Sequence, residues 1–383
     1  AYHAPTPSRE SNPMRLAASV LLLCLLLAVT AQATRVDANK QYPRFQVGVS
    51  GIYATFEPGP TLTVDSTMPD SPADGKVEKG DVIVKAGGLA IEGQDPRRPL
   101  GEALIAAGAK DGRFVLDIKR DGKAQQVVIN IPVVGPNSKT WPLDCNKSKK
   151  IIEQAAEFFS DRSKFGTQFD QRGIPAALAC LFLLSTGDDQ YLPPVKAYFD
   201  RFPKDVKAIG DHTWNNGYNG IACGEYYLRT GDESVLPIMQ YYCDDAKHRQ
   251  KFGRGWVHWG TGVSPGYVAS GLMNPAGAQV LTTLLLGKEC GVHVDDDTLL
   301  GSLEYFYRFA GRGTVPYGDH RGEGGLGSNG KDGMIGAAMQ IAAGSQGDVT
   351  IYERARQYLG MSMLTSYPVL VKGHGDEGRG DGI

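Results

Sequence analysis

Across residues 132–142 the spacing of apolar side chains changes character, and that change divides the 383-residue chain. Before it, short runs alternate apolar and polar positions, as in Phe114-Val115-Leu116-Asp117-Ile118, the two-residue period of a half-buried strand. After it, apolar residues recur with the 3.6-residue period of amphipathic helices, and sustained alternation disappears. The segment itself holds Pro132, Pro136 and Pro142 with Gly135, Asn137 and Ser138, a composition that ends a strand and suits an exposed linker. The expectation is a multidomain α+β chain. A β-rich domain should cover 45–134, a linker 135–146, and an all-α domain of repeated helical hairpins 147–383.

Within the first part, strands are expected over 61–64, 82–86, 114–119 and 126–131, with one helix over 100–107. Arg120-Asp121-Gly122-Lys123 reads as the turn of a hairpin. The run Met68-Pro69-Asp70-Ser71-Pro72-Ala73-Asp74-Gly75, followed by Val77-Glu78-Lys79-Gly80-Asp81-Val82-Ile83, closely resembles the signature of bacterial PDZ domains. In that reading Ser71-Pro72-Ala73 opens a short helix, Gly80-Asp81 turns the chain, and Val82-Ile83-Val84 enters the core.

PDZ domains add an extended peptide to a sheet edge while a glycine-rich loop of N–H groups holds its terminal carboxylate. The resemblance implies that this loop is Val47-Gly48-Val49-Ser50-Gly51 and that the partner is an extended peptide or a protein C-terminus. Residues 52–60 then separate the loop from the expected strand at Thr61. The alternative is that these glycines only make a turn and the groove is blocked or unused.

In the second part, Leu184-Ser185-Thr186-Gly187-Asp188-Asp189-Gln190-Tyr191-Leu192-Pro193 recurs as Leu228-Arg229-Thr230-Gly231-Asp232-Glu233-Ser234-Val235-Leu236-Pro237. Each copy reads as a helix ended by glycine, an acidic cap, and a second helix. Weaker echoes follow at Cys290-Gly291 and at 344–348, so helix pairs repeat, as in an α-solenoid or a closed α/α toroid. Loops rich in Gly and aromatic residues separate the pairs: Asp211-His212-Thr213-Trp214, Gly255-Trp256-Val257-His258-Trp259-Gly260, Val315-Pro316-Tyr317-Gly318-Asp319-His320, and 324–330. All should open on one rim.

With Glu225-Tyr226-Tyr227-Leu228 and Met273-Asn274-Pro275, these stretches resemble a bacterial secreted family of unknown function that joins a PDZ domain to an α/α-toroid-like domain. The resemblance implies a fold and leaves the chemistry open, because toroids host glycosidases, lyases and cyclases alike. About nine helices are expected before Ser366 and residues 373–383 read as loop, so the toroid is expected to be incomplete and to continue past Ile383.

Sugar chemistry needs a paired acid and base beside aromatic faces. The candidates are His212, His258, Asp319, His320 and Asp332, with Trp214, Trp256, Trp259, Tyr267 and Tyr317 as platforms. His258, Asp319 and His320 are the catalytic choice; Trp214, Trp259 and Tyr317 are the ligand-binding one. The opposing reading makes the aromatics staples between repeats and the aspartates helix caps. No CxxC, HxH or HExxH spacing points to a metal, and Asp295-Asp296-Asp297 reads as favourable charge at a helix start. No cofactor motif is present: neither a Walker loop, nor a dinucleotide fingerprint, nor a nucleophile elbow.

Met14-Arg15, an apolar run over 16–30, and Ala31 and Ala33 form the pattern of a cleaved signal peptide. The run falls short of the roughly 20 residues that cross a bilayer, so membrane contact is expected only during export. Residues 1–13 lie upstream of that start. Five cysteines follow the leader, an odd number that excludes a dense disulfide framework, and Cys180 and Cys223 are expected to pack as small hydrophobes. With 40 basic and 42 acidic residues and no basic block, nucleic acid is not an expected partner. Two functions fit these features. One is a secreted or periplasmic peptide-binding scaffold whose helical domain presents a ligand-binding rim, with a glycan as its candidate ligand; the other is a glycosidase or polysaccharide lyase targeted by its PDZ domain.

Overall fold

The computed structural model describes residues 42–57, 61–91, 97–161, 172–259, 271–312, 315–319, 330–345 and 349–366. The chain divides between Pro136 and Asn137 into two compact units, an antiparallel β-sheet unit and a helical unit, which makes it α+β.

The first unit contains β1 (Tyr42–Gln46), β2 (Ile52–Glu57), β3 (Thr61–Thr67), β4 (Val82–Ala86), β5 (Leu89–Ala90), β6 (Arg113–Arg120) and β7 (Lys123–Asn130), with α1 (Arg97–Ala109) before β6. Neighbours run in the order β1-β2-β3-β4-β6-β7, all antiparallel, with β5 on β4. Alternation places Phe114, Leu116 and Ile118 in the core with Ile52, Leu62, Val64, Ile83 and Ile129. Asp121 and Gly122 both take positive φ, 49° and 75°, the conformation of a two-residue hairpin whose twist matches its strands. The buried Asp81 carboxylate accepts two hydrogen bonds from Arg120, at 2.8 and 2.7 Å.

Two local expectations change. Residues 71–76 form turns instead of a short helix. A strand, β2, follows the Val47–Gly51 loop directly, where sequence reading left 52–60 unassigned.

Among the described residues the second unit holds α2 (Asn146–Ser160), α3 (Ile174–Ser185), α4 (Leu192–Phe199), α5 (Thr213–Thr230), α6 (Leu236–Arg249), α7 (Asn274–Glu289), α8 (Asp296–Tyr307), α9 (Gly330–Ser345) and α10 (Val349–Ser366). Gly187, Gly231 and Gly291 turn the chain with φ near +70°, at 73°, 69° and 76°. Asp188 and Asp232 then accept backbone N–H bonds from Gln190 and Ser234 at the start of 3-10 turns, and Asp295 caps α8 through Thr298 N–H. The acidic run is therefore a helix start.

Glycines set how closely the helices approach. A Cβ on Gly217 would lie 2.4 Å from Gln279 Cβ, one on Gly220 2.2 Å from Thr283 Cγ2, and one on Gly224 2.9 Å from Leu286 Cβ. Those partners ascend together, so α5 and α7 run parallel, their backbones in near contact. Asn215 and Asn219 donate to the Arg172 carbonyl just before α3, and Gln279 Nε2 donates to Met334 Sδ of α9. The N-terminal ends of α3, α5, α7 and α9 thus share one end of the unit, and the short turns share the other. No helix among the described residues is long and apolar enough to cross a membrane.

Candidate functional site

The end that gathers those N-termini is built by buried polar anchors. Asp211, just ahead of α5, accepts hydrogen bonds from Asn219 Nδ2 at 3.0 Å and Tyr242 OH at 2.8 Å. Arg249, at the end of α6, pairs with Asp245 at 2.6 Å and donates to the carbonyls of both Asp211 and Trp259. Thr213 N–H also donates to the Trp259 carbonyl at 3.1 Å. One guanidinium thereby ties the loop before α5 to the loop after α6.

That tie brings four sequence-predicted residues together. Trp214 Nε1–H donates to His258 Nδ1 at 3.0 Å, which leaves the His258 proton on Nε2. The His258 ring stacks on Trp259 at 4.0 Å, and His212 meets Trp259 edge-on at 5.0 Å. Burial lowers the pKa of both imidazoles, which favours their neutral form. Trp259 itself keeps 49% of its surface exposed. Trp214 lies parallel to Tyr218, 6.5 Å away.

Asn274, the first residue of α7, organises the neighbouring loop. Its side chain donates to the carbonyls of Pro316 and Gly318, at 2.8 and 2.6 Å, and accepts from Tyr305 OH at 2.6 Å. Single β-bridges join Val257 to Leu272 and Met273 to Gly318, stitching the loops of successive hairpins. Trp214 and Tyr317 pack on the same buried pair, Met273 and Ala276. Trp214, His258, Trp259 and Tyr317 therefore form a contiguous aromatic rim. Lys331, almost fully buried, lies 5.4 Å from the Tyr317 ring centroid.

The remaining candidates sit elsewhere or serve the fold. Trp256 is fully buried and donates to the Ala246 carbonyl at 2.8 Å, a staple and not a platform. Asp332 accepts from Val315 N–H at 2.8 Å and from Ser362 Oγ at 3.1 Å, while burial lifts its pKa to about 6. Asp319 is half-buried and its charge, second to burial, raises Tyr305. His320 and Tyr267 lie outside the described residues. Val47, Gly48, Val49, Ser50 and Gly51 belong to the other unit.

Sequence reading passed over Arg249, Asn274 and Gln279. Arg249 and Asn274 act on partners far along the chain and carry no local signature. Gln279, 3% exposed, donates to Tyr218 OH and Met334 Sδ, while its Oε1 has no partner among the described residues.

At the other end of α3 lies a cavity of about 730 Å3, lined among others by Leu143, Cys145, Ile152, Asp188 and Tyr191. Cys145 Sγ accepts from Ser138 N–H, and that bond with the Ser148 N–H lowers its pKa to about 6. Among the described residues, no group of three or more His, Cys, Asp or Glu side chains could hold a metal ion.

In the loop Val47–Gly51 of the first unit, Val47 N–H donates to Ile52 and Ser50 N–H to Val47, while the Ser50 and Gly51 carbonyls accept from Ala73 and Met68. A Cβ on Gly51 would strike Ser71 at 2.2 Å, and one on Gly48 would lie 3.1 Å from Leu104 of α1. The loop thus sits between α1 and the 68–73 turn, at the head of β2.

No curated protein and no solved structure matches the chain. One family does: the domain of unknown function DUF6288 matches residues 148–382, which is more than half of the sequence and includes the whole aromatic rim. The chain therefore belongs to the DUF6288 family.

Proposed function

We propose that the protein is a secreted or periplasmic scaffold that captures an extended peptide through a PDZ-like first unit and binds a glycan on the aromatic rim of a toroid-like helical unit. The observation that carries this reading is the contiguity of Trp214, His258, Trp259 and Tyr317, residues far apart in sequence. A half-exposed indole offers a flat face to a sugar ring, and His258 Nε2–H supplies a donor for a hydroxyl. The PDZ-like part is supported by the sequence signature and by the loop that runs directly into β2 beside α1. The export setting rests on the leader pattern over 14–33, which lies outside the described residues.

A glycosidase or polysaccharide lyase on the same rim would need an acid, and the carboxyl that burial raises, to about 6, is that of Asp332, which is held by the fold instead. Both oxygens of Asp332 are already engaged, by Val315 and Ser362, so binding is the better-supported function. A glycan microarray probed with the full chain tests it. Binding lost in Trp259→Ala, with no turnover in wild type, supports the scaffold; hydrolysis or elimination products from a bound glycan would replace it with the enzyme.

A further inference from the structure

The strand that a captured peptide would need as its partner is already paired on both sides. β2 pairs with β3 along six residue pairs from Ile52↔Thr67 to Glu57↔Thr61, and its opposite edge carries β1, with Tyr42↔Phe56, Phe45↔Ala54 and Gln46↔Tyr53 in register. A peptide docked with its carboxyl end at the Val47–Gly51 loop would run antiparallel to β2, which is the direction β1 takes. The chain's own segment therefore sits where the ligand belongs.

The two contacts of β2 are unequal. Each ladder carries one irregularity, between Tyr42 and Phe45 on the β1 side and between Tyr53 and Ala54 on the β3 side, but β1 is matched at three residue pairs against six for β3, and Pro43 has no N–H to donate. Of the β1 side chains described, Phe45 is half-buried against the core, whereas Arg44 and Gln46 are exposed. Arg44 latches the strand from outside: it pairs with Asp65 at 2.8 Å, donates to Ser66 Oγ at 2.6 Å and covers the Tyr53 ring at 3.9 Å. Exposed pairs of this kind are weak and salt-sensitive. On β3, by contrast, Leu62 and Val64 are fully buried.

We infer that Tyr42–Gln46 is an intramolecular stand-in for the peptide ligand, and that the β2 edge is a masked peptide site which opens when β1 peels away. The inference rests on the peptide-capture reading of the first unit. It names that site's resting occupant and the requirement that ligand and β1 compete.

The test uses the full chain and a fluorescein-labelled synthetic peptide with the sequence of residues 40–46 and a free carboxyl terminus. A Gln46→Cys/Tyr53→Cys variant, built on a facing pair, locks β1 when oxidised and frees it when reduced. An Arg44→Ala/Phe45→Ser variant weakens the latch without shortening the chain. Fluorescence anisotropy should show no binding to the oxidised lock, weak binding to wild type, and binding at least tenfold tighter to the weakened variant. Amide exchange along β2 should accelerate in the weakened variant and slow again when peptide is added. Equal affinity of the peptide for oxidised and reduced lock would overturn the inference, as would a folded, weakened variant that binds no better than wild type. A parallel array of free-carboxyl peptides separates the two ideas. Binders that ignore the state of the lock leave peptide capture standing and remove the masking, whereas no binder even with β1 released ends both.

Discussion

Asp332 and Cys145 are the residues whose surroundings most change their chemistry. Burial lifts Asp332 to about 6, above the roughly 4 of an unfolded carboxyl. Between those values the native chain holds more protons than the unfolded one. Stability from this group is therefore greatest below about pH 4, falls as pH rises through 6, and is level above. Asp332→Asn should flatten that slope while keeping pH 7 stability equal or higher, read as thermal midpoints from pH 4 to 8; an unchanged slope would assign the titration to another group. Cys145 should behave in the opposite sense to the cysteines of the helical core. Backbone N–H groups hold its thiol near 6, whereas burial raises Cys243 and Cys290 to about 12 and pushes Cys180 and Cys223 up as well. Iodoacetamide mapped by mass spectrometry should modify Cys145 first, with a rate that rises through pH 6. Preferential labelling of a helix-core cysteine would contradict the geometry at the start of α2.

At the scale of elements, close packing of parallel helices depends on glycine. Gly220→Ala gains helix propensity of about 1 kcal/mol but drives its Cβ into Thr283, an overpacking cost of roughly 1–3 kcal/mol. A lower denaturation midpoint is expected, and an unchanged or higher one would mean that α5 and α7 lie farther apart. In the sheet unit, Arg120→Ala leaves the buried Asp81 carboxylate without its guanidinium and should cost roughly 3 kcal/mol in chemical denaturation. The repeated Thr-Gly-Asp turns were legible because a left-handed glycine and an acidic cap are local requirements. So was the Asp121-Gly122 hairpin. β2 was not legible, because Ile52-Tyr53-Ala54-Thr55-Phe56 is a short apolar run that period alone cannot assign to strand or loop. The rim was legible as residue types on loops, yet its closure depends on Arg249 and Asn274 reaching across hairpins, which no spacing announces.

For the whole molecule, two cores divide the work. The sheet unit offers one strand edge held by its own N-terminal segment, and the helical unit collects the N-terminal ends of four parallel helices beneath an aromatic rim. Among the described residues, Trp214, His258, Trp259 and Tyr317 gather at the rim and the short capped turns lie at the opposite end. In the function proposed above, this rim binds a carbohydrate through Trp259. The most direct measurement is a glycan microarray comparing the full chain with Trp259→Ala at matched folding, verified by equal thermal midpoints. At least one glycan class should bind the wild type and be weakened tenfold or more by the substitution. A wild-type chain that binds no glycan, or binding that Trp259→Ala leaves intact, would contradict that function.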